Sequence, residues 1–84
     1  MPSPPSPHQC RRVTFGAVVR DRRRSLGLTQ VQLAHRAGCN RQSIVRVETA
    51  AHSPSLDRLF ALADALEISL DDLFRDLDRR TVPP

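Results

Sequence analysis

The chain contains no tryptophan, no tyrosine and no lysine, and only three glycines and one methionine. Its three aromatic residues are all phenylalanine, so the 39% hydrophobic content rests on leucine, valine and alanine, which fits a compact helical bundle. Two cysteines, Cys10 and Cys39, argue against a disulfide framework. Cys39 directly follows Gly38, where a small apolar group suits packing, and Cys10 has no assigned role. No apolar run approaches a signal sequence or a membrane span, so the expectation is a cytoplasmic protein with no membrane partner. His8, His35 and His52 are scattered over a tail, a helix face and a loop, without a nucleophile–base–acid set or metal-ligand spacing. No enzyme activity, metal or cofactor is therefore expected. Eighty-four residues allow one small domain with little stability to spare.

All thirteen basic residues are arginine, a bias that a GC-rich genome would also produce. The net charge of +4 conceals a division. Up to residue 52 nine arginines face only Asp21 and Glu48, a balance of +7; from residue 53 onward four arginines face seven acids, a balance of −3. A domain with one basic end and one acidic end is polarised to meet a polyanion one way round. The acids also solvate the outer faces of the last helices, and the two roles are compatible.

Residues 30–49 carry the most informative pattern: Gln30, Leu33, Ala34, Gly38, Ile44 and Val47. Leu33 and Ala37 put an apolar edge on one short helix, and Ala34 is small enough for a second helix to pass over it. Gly38 stands where the chain reverses, a C-terminal cap that favours the left-handed conformation. Ile44 and Val47, three apart, share one face of the second helix. Small, glycine and apolar residues at these offsets suit a DNA-reading helix-turn-helix over 29–49.

Outward from that core lie Arg23-Arg24-Ser25-Leu26-Gly27-Leu28-Thr29-Gln30, Leu33-Ala34, Ala37-Gly38, Ile44, Arg46-Val47-Glu48, and Pro54-Ser55-Leu56 through Leu59, Ala63, Leu66 and Leu70. With these residues in this order, the chain resembles the Cro/repressor (Xre-type) helix-turn-helix family over about residues 14–75. The resemblance implies an all-α, compact five-helix, lambda-repressor-like domain. Its third helix would lie in the major groove of double-stranded DNA, making the protein a nucleoid-associated transcriptional regulator, one class of which is repressors.

The organisation follows from caps and periodicity. Residues 1–13 are expected to be a disordered, proline-rich tail or arm, 14–77 the folded domain, and 78–84 a frayed end. Thr14 is the expected N-cap of a first helix, Phe15 to Leu26, ended by Gly27. Thr29 and Gln32 form a capping box for the second helix, which ends at Ala37, with Leu28 and Leu33 placed for a hydrophobic staple. Asn40 caps the third helix, which runs from Arg41 to about Thr49. The fourth runs from about Leu56 to Leu66 with Leu56, Leu59, Phe60, Ala63 and Leu66 inward. Ser69 caps the fifth, Leu70 to about Leu77, where Asp71 and Asp72 suit the positive end of the helix dipole.

Two charges fall on apolar faces. Arg23 shares a face with Val19 and Leu26, and Glu48 shares one with Ile44. Unpaired, either would be costly to bury, so the economical expectation is that they pair and tie the first helix to the third. Similar family members carry such a pair at the matching positions.

Asn40, Arg41, Gln42, Ser43 and Arg46 lie away from the Ile44/Val47 stripe. Arg41 has the fork for guanine O6 and N7, and Gln42 the amide for adenine N6 and N7. Arg46 reaches either a base or a phosphate, while Ser43 and Asn40 bond phosphates or cap the helix. Gln30, and Thr29 beside it, open the second helix near a phosphate; the resemblance adds that Gln30 braces the recognition helix. Arg11 and Arg12 are candidates for an arm reaching phosphate or minor groove, and Arg20, Arg22 and Arg24 for a solvated basic face. The chain departs from the family in the loop Thr49-Ala50-Ala51-His52-Ser53, which usually holds a glycine followed by basic or polar residues. Either a left-handed Ala50 is strained by about 1 kcal/mol or the loop has another shape, and His52 or Ser53 remain as backbone-contact candidates.

One recognition helix covers too few bases to select a site, so a homodimer is expected, with Leu62, Leu70, Leu73, Phe74 and Leu77 as interface candidates. The alternative is a protein-interaction module or antitoxin whose main role is binding a partner protein. That reading predicts a neutral or acidic third helix, which Arg41, Gln42 and Arg46 oppose.

Overall fold

The computed structural model describes residues 3–4 and 6–81. Among these the chain forms five helices: α1 (Pro7–Ser25), α2 (Gln30–Ala37), α3 (Arg41–Glu48), α4 (Leu56–Ala65) and α5 (Leu70–Thr81). Helix α1 packs on α3 and α5, α2 on α3 and α4, and α4 on α5.

The two ends of the fold are longer than the expected 14–77. Helix α1 starts at Pro7, not at Phe15, because Ser6 and Gln9 make a capping box: Ser6 Oγ accepts from Gln9 N–H at 3.1 Å and Gln9 Oε1 from Ser6 N–H at 2.7 Å. Pro7 suits the first helical position, where no backbone donor is needed. Thr14, the expected cap, lies inside the helix and donates its hydroxyl to the Cys10 carbonyl at 3.0 Å. Of the expected N-terminal tail, residues 1, 2 and 5 lie outside the described residues. Helix α5 continues past Leu77 to Thr81, where Arg80 bonds both Asp76 on its own helix and Asp21 on α1. Of the expected frayed end, residues 82–84 lie outside the described residues.

Helices α1 to α4 end alike. Within two residues of each end the chain turns left-handed: Gly27 at φ 72°, Gly38 at 70°, Ala50 at 60° and Glu67 at 56°. The N–H of the following residue bonds back to a carbonyl five residues earlier, as in Cys39 to Ala34 at 2.9 Å and Ala51 to Arg46 at 2.9 Å. Of the two alternatives for the α3–α4 loop, Ala50 thus takes the strained one, and Glu67 is left-handed without a warning in the sequence. Arg22, expected on a solvated face, braces that second site: its Nε donates to Leu66 O at 3.0 Å and its Nη2 to Glu67 O at 3.2 Å.

The core joins Phe15, Val18 and Val19 of α1 to Leu33, Ile44, Val47, Leu62, Leu66 and Leu73. Phe15 and Phe74 meet with ring centroids 6.2 Å apart, tilted by 44°. Gly16 sits where α1 crosses the end of α3; a Cβ there would lie 2.6 Å from the carbonyl oxygens of both Val47 and Glu48. Of the residues expected inward on α4, Ala63 and Leu66 are buried and Leu59 packs partly against the core, but Leu56 is 61% and Phe60 48% exposed, and Leu62 and Ala65 are buried in their stead. The run Leu59-Phe60-Ala61-Leu62-Ala63 is apolar on every side, so periodicity did not fix its rotation. Two interface candidates belong to the core instead. Leu62 and Leu73 are 0% exposed and offer no surface to a second chain. Leu70, Phe74 and Leu77 are partly buried against the core and keep some surface.

Candidate nucleic-acid interface

The α2–α3 pair is assembled from short-range signals. Thr29 Oγ1 accepts from Gln32 N–H at 3.1 Å, and Gln32 Oε1 from Thr29 N–H at 2.8 Å, which starts α2. Gly38 reverses the chain, and Asn40 Oδ1 accepts from both the N–H and the hydroxyl of Ser43, at 2.9 and 3.0 Å, which starts α3. Asn40 and Ser43 therefore satisfy each other as a cap, leaving Arg41, Gln42 and Arg46 as the exposed polar row of α3.

Behind that row lies the ion pair. Arg23 Nε donates to Glu48 Oε2 at 2.7 Å and Arg23 Nη2 to Glu48 Oε1 at 3.0 Å, a two-pronged contact between residues only 8% and 9% exposed. The third guanidinium nitrogen, Nη1, donates to Leu28 O at 2.9 Å, so the buried cation has partners on three nitrogens. The hydrogen bonding of its guanidinium to the Glu48 carboxylate raises the Arg23 pKa, against the lowering effect of burial. Glu48 Oε1 also accepts from Gln30 Nε2 at 3.2 Å, and Gln30 Oε1 from Arg41 Nε at 3.3 Å. An unbroken relay therefore runs from the core to the exposed row: Arg23, Glu48, Gln30, Arg41.

The remaining candidates are distributed around this centre. Arg11 and Arg12 do not belong to an extended arm; they sit on α1 beside Ser53, on the rim of an apolar groove floored by Phe15, Leu59 and Phe74. His52 instead faces a second cleft, of about 170 Å³, shared with Ser43 and Arg46 of α3 and with Arg58 of α4. Arg58 was not singled out from the sequence. Its signal was a basic residue in the first turn of a helix, where the dipole favours an acid. Among the described residues no carboxylate pairs with Arg41, Arg46 or Arg58, whereas Arg23, Arg36, Arg75, Arg79 and Arg80 all have one within 4.0 Å. The described residues include no helix long and apolar enough to cross a membrane.

The chain is similar to known proteins in sequence and in fold. An uncharacterised HTH-type transcriptional regulator from Methanothermobacter thermautotrophicus is 41% identical over 58 residues, covering 68% of this chain and 84% of that protein. The restriction-modification controller protein C.AhdI from Aeromonas hydrophila superposes with a TM-score of 0.72 at 37% identity, over 74% of this chain and 94% of its own. The P22 c2 repressor, solved in complex with a synthetic operator, superposes with a TM-score of 0.66 at 32% identity, over 70% of this chain and 89% of its own. The model of the HTH_3 helix-turn-helix family matches residues 19–73, the stretch from mid-α1 into α5, and the chain belongs to that family.

Proposed function

We propose that this protein reads operator DNA by laying the outer row of α3 in the major groove, as a homodimer. That it is a DNA-binding transcriptional regulator follows from its family and its relatives; the proposal concerns how it binds. The observation that carries it is the exposed row Arg41, Gln42 and Arg46, unopposed by carboxylates among the described residues and anchored to the core through Gln30 and Glu48. Arg41 and Gln42, in the first turn of α3, supply the base contacts, while Thr29, Gln30, Asn40 and Ser43 hold the helix in place and lie beside backbone phosphates. Two copies double the bases read, and the surface left on Leu70, Phe74 and Leu77 is the basis for pairing them near α5. Such a regulator works at the nucleoid, in the cytoplasm. Selection of bound duplexes from a random pool, at two salt concentrations, tests this: a two-fold symmetric motif supports it, and indifference among duplexes refutes it. Light scattering that gives a monomer mass with and without the selected duplex would refute the pairing alone.

A further inference from the structure

Glu48 does more than neutralise Arg23. Its carboxylate accepts from three nitrogens: Arg23 Nε at 2.7 Å, Arg23 Nη2 at 3.0 Å and Gln30 Nε2 at 3.2 Å. A carboxylate can only accept, whereas the amide of a glutamine donates on one side and accepts on the other. The two sides of that amide have nearly the same shape, so packing alone does not choose between them. Glu48 chooses. It draws the NH2 of Gln30 inward, which turns Oε1 outward. There Oε1 can only accept, and Arg41, which can only donate, supplies Nε at 3.3 Å. With the amide reversed, Oε1 would face a carboxylate and the NH2 a guanidinium, two repulsive contacts in place of two hydrogen bonds.

What Arg41 gains is a direction. Holding Nε restrains the plane of its guanidinium and leaves both Nη nitrogens without a protein partner among the described residues. That pair of donors matches guanine O6 and N7. Resting on the DNA-reading proposal above, we infer that Glu48 is a positioning residue for specificity: through the Gln30 amide it sets the direction in which Arg41 presents its fork to the base edges. Glu48 itself is only 9% exposed and acts from behind the interface. Presetting matters for an exposed arginine, whose long side chain otherwise gives up rotamer freedom only on binding. One buried carboxylate thereby serves twice, joining α1 to α3 and orienting a base contact.

The test begins at the base pair where Arg41→Ala loses discrimination between the selected duplex and its single-base variants. There Glu48→Gln should lower discrimination about three- to tenfold, the worth of one hydrogen bond, because a neutral amide at that position no longer holds Gln30 one way round. Discrimination at the base pair where Gln42→Ala acts should be unchanged. Affinities are referred to the folded fraction, measured by circular dichroism. Arg23→Lys is the control: it loosens the same ion pair and costs stability, but leaves the carboxylate to orient Gln30, so discrimination should persist. Gln30→Met keeps the length of a half-buried side chain and removes both polar ends. It should reproduce the loss at the Arg41 base pair, and it decides the matter should Glu48→Gln not fold. Combining either variant with Arg41→Ala should add no further loss there. Equal losses in Arg23→Lys and Glu48→Gln overturn the inference, because a loosened ion pair alone would then explain them. So does a loss in Gln30→Met shared equally by all duplexes, which would make Gln30 a phosphate ligand only. A loss in Arg41→Ala that neither Glu48→Gln nor Gln30→Met shares sinks this inference and keeps the base contact. Arg41→Ala that discriminates as well as the wild type sinks the base contact itself, and this inference with it.

Discussion

Glu48 receives Arg23 through both carboxylate oxygens, at 2.7 and 3.0 Å, and the pair bridges α1 and α3 beneath the exposed row. Removing one partner leaves the other charged and buried. Arg23→Ala is expected to lower unfolding stability by about 3–5 kcal/mol in urea titrations. The double variant Arg23→Ala/Glu48→Ala should lose less than the sum of the two single losses, because no charge is then stranded. Strict additivity would show that the two residues act separately.

Arg41 and Gln42 are exposed and bear no packing load. Truncating either to alanine should leave the melting temperature nearly unchanged. Each should reduce discrimination between the selected duplex and a single-base variant by about 1–3 kcal/mol, measured by competition binding. A loss shared equally by all duplexes would instead assign that side chain to the phosphates.

Ala50 holds φ at 60°, at the end of α3. Glycine accepts that conformation without the Cβ clash but adds freedom to the unfolded chain, so Ala50→Gly should stabilise by a net ~0.5–1 kcal/mol. Glu67→Gly should act in the same direction at φ 56°. Denaturation midpoints with unchanged slopes would report both.

The opposite holds at Gly16, where an added Cβ would press on two backbone carbonyls at 2.6 Å. Backbone cannot swing aside as a flexible side chain can. Gly16→Ala should therefore cost about 1–3 kcal/mol by forcing α1 away from α3, and should broaden amide resonances around Val47 and Glu48.

A hydrogen bond from Arg80, at 2.8 Å, holds the Asp21 carboxyl below its ordinary value of 3.8. A depressed carboxylate pKa contributes stability above the unfolded value and loses it as pH falls through the folded one. Denaturation midpoints of Asp21→Asn should accordingly depend less on pH than those of the wild type between about pH 5 and about pH 2. The difference should be small and shrink with salt, because both groups are exposed to water.

The elements most legible in the sequence were those specified by neighbours in the chain. Thr29 with Gln32, Gly38, and Asn40 mark the ends of α2 and α3 through contacts three or four residues long, and the structure uses all of them. The opposed charges Arg23 and Glu48 were legible because each interrupts an apolar stripe. The start of α1 was not legible: the cap in use, Ser6 with Gln9, lay among prolines that suggested disorder, and Thr14 carried the cap signal in its place. What the sequence hid depends on distant partners. The rotation of α4 needs α2 and α5 to settle it, and Arg22 at the end of α4 and Arg58 in the α3–α4 cleft depend on residues brought together only by folding.

The tether from Glu48 through Gln30 to Arg41 divides the reading helix unequally. Arg41 is linked to that carboxylate only through Gln30, so altering it leaves the fold in place but releases the side chain that orients it. Gln42 carries no such obligation. Evolution, or an engineer retargeting the protein to a new operator, therefore finds its cheapest freedom at Gln42, and would change Arg41 only together with Gln30.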